Sequence, residues 1–596
     1  MNKDSIIGLV IIFIILIAMP FYYQTFQDDQ KTKTKETTQE PQTQQQTTST
    51  ASQTSQEKSQ QETKTASTVT KVQSKPEKLF TVESKLYKIT LSSRGGGTIK
   101  ELILKKYQEY KNNDTTKVNL LKDSNRPLKI KYQSISKQKS ITLDGNFKII
   151  QTSQVPTDSS VFINKDESFT ISYGLKRNNQ IVAKKTLTFQ GDQYDFDLTT
   201  DLTKLNDDIA GNTFKLTWNG GLSYTEHPIK RENRYTEAFA YTSAEEVEDF
   251  EVGEGEKDST EFQGNTLWSS IRNKYFAAAF IPQDHAINYK LSGRTTQVGE
   301  YTKKIYDMEL GFPANRPQTT QIFAGPLDYD VVTSLNANLE QIMNLGKILK
   351  FISRPICTGI LISLKTLYKF IPNYGIVIML FAIFIKIVLS PLTMKSMKSM
   401  KEMQKLQPKI QEIKDKYEDE PEKLNKETMK LYRQYGINPM GGCFPMLLQM
   451  PILISMFTVI RSTIALRNAH FFGWITNLSI PDRLFRLPFD IPLYGHYFNL
   501  LPLVMVITQI FQQKVSGASS NPQGKSMAYL MPIMFFFIFN RFPSGLVLYY
   551  TMFNLFTVIQ TKWFTPEPEL TKQEDANKSK GRLEKWAEMS QQMKND

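Results

Sequence analysis

Lys386 stands inside an otherwise apolar run, YGIVIMLFAIFIKIVLSPLTM, that begins at Tyr374 and ends at Met394. A cation near the middle of a bilayer costs at least ~2.5 kcal/mol on insertion scales, which makes an intramembrane lysine a candidate functional group. The bland explanation is snorkelling, in which the ammonium lifts to the interface on its own stem. The next cation, Lys395, lies roughly 13 Å further along a helix, more than a lysine stem covers. The ammonium therefore needs a wet pocket opening inward. Other chemistry is thin. His227 and His285 have no ligand-spaced neighbours, so no metal site is expected. Gly524-Lys525-Ser526 has Ser519 where a phosphate loop needs its first glycine. With no HExxH and no nucleophile elbow, no cofactor and no enzyme chemistry are expected. Cys357 and Cys443 both sit in or beside membrane-like sequence, so the soluble region needs no disulfide.

The 596 residues are too many for one core, and two or more domains are expected. The net charge of +14 comes largely from Lys and Arg flanking apolar runs, where they fix membrane orientation, and DNA is not an expected partner. Residues 1–26 read as a transmembrane anchor: Ile6 to Tyr23 is apolar, preceded by Lys3 and closed by Pro20, Phe21, Tyr22 and Tyr23. A cleaved signal peptide is the competing reading, but it would end in small residues. Residues 27–75, rich in Gln, Thr, Ser and Lys, cannot bury enough surface to order and read as a disordered linker.

From 76 to 330 the pattern alternates with period two. Tyr87, Ile89 and Leu91 alternate with polar residues before the turn Arg94-Gly95-Gly96-Gly97. FKIIQTS from Phe147, ESFTISYGL from Glu167, KKTLTFQ from Lys184 and YDFDLTTDL from Tyr194 repeat the theme. Such runs predict an all-β, antiparallel sandwich, with a structural or docking role favoured over an enzyme.

Residues 335–372 carry Ile342, Leu345, Leu349 and Ile352 on one helical face, interrupted by Lys347, Lys350 and Arg354, and read as an interfacial amphipathic helix. The remaining core, 373–565, predicts spans at about 374–394, 441–460, 493–513, 524–540 and 543–562, with a charged cytoplasmic helical hairpin at 395–440 broken at Pro421. The block from Ser526 to Thr561 is too long for one crossing, and Asn540 to Gly545 suits a turn between two. With the anchor this makes six spans, both termini cytoplasmic, the β-domain outside, and a basic cytoplasmic tail at 566–596.

Several strings resemble the YidC family of membrane protein insertases: LSPL at Leu389, MQKLQPKIQEIKDKY at Met403, NPMGGCFPMLLQMPI at Asn438 and FPSGLVLYY at Phe542. The anchor, the turn at Arg94 and WSSIRNKYFAAAFIP from Trp268 resemble the Gram-negative form with a large periplasmic domain. The resemblance covers nearly the whole chain, weakly in the linker and much of the β-domain. It implies a periplasmic supersandwich and a five-helix insertase core in the bacterial inner membrane. It also implies a hydrophilic inner-leaflet groove holding Lys386, Ala382 and Gln449, where the family usually has arginine and often a threonine for Lys386 and Ala382. Lysine keeps the charge but loses the planar multi-donor fork. Arg541 stands where some members have tryptophan.

The resemblance further implies a hydrophobic slide of Met450, Pro451, Leu453, Ile538, Tyr549 and Tyr550, for which helix packing with an aromatic belt is the alternative. The hairpin's Met394, Met397, Met400 and Met403, with Lys405, offer either an adaptable client surface or the hairpin's own packing seam. Implied partners are nascent membrane proteins, the Sec translocon, the ribosome or signal recognition machinery, and membrane lipids. Lys578, Lys580, Arg582 and Lys585 of the tail could touch ribosomal RNA or anionic lipid, or be merely solvated. Two rival functions remain open to the residues themselves: a solute transporter, though no inverted repeat is visible, and a sugar-modifying enzyme built on the β-domain.

Overall fold

The computed structural model describes residues 76–567, apart from 112–113, 123–125, 228, 344, 346–349, 438–443, 492–493 and 517–521. The expected anchor, the linker, most of the basic tail and Cys443 lie outside the described residues. The chain divides into two compact units: residues 1–271 with 278–323, and 272–277 with 324–596.

The first unit is all β. A five-stranded sheet and a fourteen-stranded sheet, mostly antiparallel, make a sandwich. The expected strands fall at Tyr87–Ser92, Lys148–Thr152, Ser168–Arg177, Gln180–Gln190 and Asp195–Asp201. Their alternation places Phe169, Ile171 and Tyr173 inward, with Ala183, Leu187 and Phe189 from the neighbouring strand. Lys185 shares that inward register and is fully buried. Its ammonium donates to the carbonyls of Leu128 at 2.7 Å and Gly95 at 3.1 Å. The glycine turn explains the second acceptor. Gly95, Gly96 and Gly97 all have left-handed backbone (φ +69°, +67° and +77°), and a Cβ on Gly97 would lie 2.7 Å from Leu187. Only glycine holds that conformation against the core without strain.

The second unit is helical. Its helices are α1 (Lys350–Phe370), α2 (Tyr374–Lys405), α3 (Gln407–Lys416), α4 (Pro421–Gln434), α5 (Phe444–Ser462), α6 (Leu500–Val515), α7 (Pro522–Phe539) and α8 (Ser544–Ile559). Among the described residues one helix, α2, is both long and apolar enough by itself to cross a membrane; α5, α6 and α7 carry shorter apolar stretches. The turn at Asn540 divides α7 from α8, as the sequence predicts.

Two expectations need correction. The amphipathic helix starts at Lys350 rather than near 335, because Asn336 and Asn338 take left-handed backbone (φ +53° and +55°) and stop any helix there. Leu339–Ile342 is only a 3₁₀ turn. Within α1, Cys357, Ile360, Leu361 and Leu364 face inward, while Ile352, Ile362 and Phe370 are exposed. The expected span at 493–513 also begins late. Gly495–Asn499 is a strand paired antiparallel with Arg483–Ile491, and α6 starts only at Leu500. A short aromatic run reads equally as strand or helix in sequence.

The hairpin α3–α4 closes on its own small core. Leu406, Ile410, Leu431 and Ile437 are buried together, with Met403, Ile413, Tyr432 and Tyr435 packed against them. Pro421 begins α4, where its missing N–H is harmless.

Candidate functional site around Lys386

The position of Lys386 is set from the start of α2. Asn373 caps the helix, its side-chain oxygen accepting from the N–H groups of Gly375 at 2.9 Å and Ile376 at 3.2 Å. Gly375 lets the Phe471 ring press on the helix; a Cβ there would sit 1.8 Å from Phe471 Cδ2. Helix α8 is held from its own start. Ser544 N–H donates to Ile480 O at 2.8 Å and Gly545 N–H to Leu478 O at 3.0 Å.

Where the two helices pack, Lys386 is only 6% exposed. Its Nζ donates to Thr557 Oγ1 at 2.8 Å and lies 4.4 Å from the centre of the Phe553 ring. Thr557 passes the bond on, its hydroxyl donating to Phe553 O at 2.7 Å. No carboxylate pairs with Lys386 among the described residues. A buried ammonium is thus held by one neutral hydroxyl and one aromatic face, which is thin compensation for a charge.

A polar seam continues from Lys386 toward the hairpin. Ser390, Thr393 and Met397 follow at helical spacing on α2. Gln560 Nε2 donates to Ser390 Oγ at 2.7 Å and to Thr393 Oγ1 at 3.3 Å. Thr561 Oγ1 donates to Met397 Sδ at 3.4 Å. Gln560–Phe564 is a π-helical turn, and its widened winding lets the consecutive residues Gln560 and Thr561 both reach α2. Lys401 Nζ then donates to Thr565 O at 2.7 Å. Several buried polar atoms along these helices have no hydrogen-bond partner: Asn554 Nδ2, Gln560 Oε1 and Tyr549 OH on or beside the seam, and Gln449 Nε2 on α5. Each such atom costs about 1–3 kcal/mol if left dry.

Other expected site residues fall in different places. Ala382 is fully buried one turn before Lys386 and forms an apolar wall. Gln449, Met450, Pro451 and Leu453 lie on α5, with Pro451 exposed and the others half-buried. Ile538, on α7, is half-buried. The tyrosine pair separates. Tyr549 is fully buried beside Phe381 of α2, ring centres 6.5 Å apart, whereas Tyr550 sits 5.5 Å from Phe539 of α7. They do not share one face. Among the methionines, Met397 belongs to the seam and Met403 to the hairpin core, while Met400 is half-buried and Lys405 pairs with Glu567 at 3.2 Å.

Sequence reasoning missed Thr557, Phe553, Gln560, Ser390 and Thr393. The signal was present: Thr551, Asn554, Thr557 and Thr561 recur every three or four residues through an apolar run, and Ser390 and Thr393 follow Lys386 at four and seven.

An all-β sandwich joined to an apolar helical unit, with a charged helical hairpin and a buried cation between two of its helices, makes a two-part protein with one helix among the described residues long and apolar enough to cross a membrane. Family models agree with both parts: "60Kd inner membrane protein" matches residues 366–570 and "YidC periplasmic domain" matches 79–358. Membrane protein insertase YidC of Chlorobaculum tepidum is 35% identical over 491 residues, 81% of each chain. That of Chlorobium luteolum is 34% identical over 568 residues, 94% of each chain. Among solved structures, an active YidC insertase with its first transmembrane domain resolved matches 82% of this chain and 93% of its own, at 17% identity and a TM-score of 0.35.

The chain belongs to the YidC family of membrane protein insertases. It is an inner-membrane insertase with a periplasmic β-domain, and the solute-transporter reading falls away.

Proposed function

We propose that Lys386 and the polar seam line a groove open toward the cytoplasm, into which a short acidic or polar tail of a nascent membrane protein is drawn. The buried ammonium, satisfied among the described residues by Thr557 Oγ1 and the Phe553 ring, is the observation that carries this reading. A client carboxylate at ~4 Å would gain up to about 4 kcal/mol at an effective dielectric near 20, before desolvation is subtracted. The unpartnered atoms of Asn554, Gln560 and Gln449 supply further polar contacts for the tail. The client's apolar segment then leaves sideways past Met450, Pro451, Leu453, Ile538 and Tyr550. Each buried methylene contributes about 0.8 kcal/mol, which drives the step without nucleotide. Tyr549, packed toward α2, belongs to the wall of the groove rather than to this exit path. A lysine offers a point charge rather than a fork, so the site prefers any single acid over a particular carboxylate geometry.

In this scheme α2 and α5–α8 cross the membrane beneath an N-terminal anchor, six spans in all, with both termini cytoplasmic. At 16 residues α6 reaches roughly 24 Å, short of a ~30 Å hydrocarbon core, so the bilayer thins around it, whereas α8 is prolonged by the π-helical turn Gln560–Phe564. The β-domain serves as a structural or docking element. The Sec translocon is a partner for long clients, and the basic hairpin and tail meet the ribosome or signal recognition machinery.

The test is Lys386→Ala, Lys386→Glu and Lys386→Arg, scored for insertion of a small Sec-independent phage coat protein in cells depleted of their own insertase. Arginine should retain insertion, alanine should lower it and glutamate should lower it further. Equal activity in all three would remove Lys386 from the mechanism.

A further inference from the structure

Between α5 and α6 the chain forms a two-stranded ribbon, Arg483–Ile491 against Gly495–Asn499. An isolated two-stranded ribbon is marginal in water, and this one joins no third strand among the described residues. Across it Phe485 stacks on Phe498 with ring centres 5.0 Å apart, and the Arg483 guanidinium lies 4.5 Å from the Tyr497 ring. Much of its apolar surface remains outside. Phe485 is 52% exposed and Phe489 62%, and Leu484 and Arg486 are exposed beside them.

The root of the ribbon is fixed. Asn540, just past the end of α7, donates from Nδ2 to Tyr494 O at 2.9 Å and accepts from Asn499 Nδ2 at 2.8 Å. Leu500, the next residue after Asn499, begins α6. The ribbon is therefore continuous with the non-cytoplasmic ends of two helices assigned above as spans, and its placement rests on that assignment.

We propose that this ribbon lies in the outer-leaflet headgroup layer, with Leu484, Phe485 and Phe489 against the upper acyl chains and Arg483 and Arg486 on phospholipid phosphates. Aromatic and cationic side chains side by side are the composition of a membrane interface. Guanidinium groups match phosphate oxygens in a two-point contact. Seated this way, the ribbon gives its exposed rings the apolar contact that water denies them and pins the outer ends of α6 and α7 through Asn540.

The experiment uses the full chain with Cys357→Ser and Cys443→Ser, reconstituted in phosphatidylethanolamine–phosphatidylglycerol vesicles. Nitroxide labels are placed through Phe485→Cys or Phe489→Cys. Collisions with oxygen, which concentrates in lipid, are compared with those of a water-soluble nickel chelate. Oxygen collisions should dominate at both ribbon sites, as at an Ile507→Cys label on the exposed face of α6, and chelate collisions should dominate at Val155→Cys in the β-domain. Arg483→Glu with Arg486→Glu should raise chelate collisions at the Phe489 site. Chelate-dominated ribbon labels would overturn the proposal in favour of free solvent exposure. Labels shielded from both reagents, or shielded only once client is added, would overturn it in favour of a protein partner. Unchanged collisions after the arginine replacements would overturn the phosphate contact. A chelate-dominated Ile507 label would overturn the span assignment, and the ribbon's placement with it.

Discussion

Lys185→Met tests how the β-domain tolerates a cation in its core. Full burial pushes the Lys185 ammonium down from its ordinary 10.5 to about 7, with only the carbonyls of Gly95 and Leu128 to hold it. The unfolded chain therefore binds one more proton than the folded one across the window from about 7 to 10.5. Stability must rise with pH through that window, by at most about 1.4 kcal/mol per pH unit. From pH 7.5 to 9.5 the gain is roughly 2–3 kcal/mol, and the whole window is worth on the order of 5 kcal/mol. Below pH 7 both states carry the charge and the penalty is complete and constant. The buried tyrosines Tyr87, Tyr173 and Tyr306 are held above their ordinary value by burial, so they oppose this trend only above about pH 10. Methionine removes the titrating group but strands two carbonyls at about 1–3 kcal/mol each, so the net change at neutral pH is small and the pH slope is the sharper readout. The assay is urea unfolding of the full chain followed by tryptophan emission, which Trp218 and Trp268, buried in the domain, report. A wild-type curve flat between pH 7.5 and 9.5, or a Met variant that keeps the slope, would refute the reasoning.

Gly375→Ala puts a Cβ into the Phe471 ring, and overpacking of this kind costs about 1–3 kcal/mol, so the thermal midpoint in detergent should fall. Shortening the ring in Gly375→Ala/Phe471→Leu should recover part of that loss. Asn540→Ala removes the donor to the Tyr494 carbonyl and one of two acceptors for Asn499 Nδ2, which keeps its bond to the residue 540 backbone carbonyl; the loss, on the order of 1–2 kcal/mol, should appear as a lower midpoint with unchanged helix content by circular dichroism. Leu431→Ala opens the small hairpin core at a cost of about 2 kcal/mol, and limited proteolysis should then cut first between α3 and α4.

The β-domain was the most legible part of the chain, because a half-buried strand writes its period directly into the sequence. The strand from Gln180 shows it most plainly, alternating from Ala183 to Phe189, and Lys185 is the exception because a lysine in an inward register reads as surface. Lys386 announced itself because charge interrupts hydropathy. Its partners did not: threonine and glutamine pass unnoticed in an apolar run, and the pairing of Lys386 with Thr557 joins helices far apart in the chain. Tyr549 and Tyr550 read as a unit only while their helix is seen in projection; one residue of rotation sends them toward α2 and α7 respectively. The ribbon before α6 was hidden for a third reason. Its Tyr, Phe and Leu residues are as apolar as a span, and the pairing that makes them strands lies with the segment from Arg483.

The central claim is that the Lys386 ammonium meets an acidic group of the client inside the groove. A charge exchange tests it most directly: Lys386→Glu is paired with a single-span client whose one acidic tail residue is replaced by lysine, and insertion is measured for all four combinations. Each pairing of opposite charges should insert, and each pairing of like charges should fail. A Lys386→Glu chain equally defective toward both clients, or equally active toward both, would contradict it.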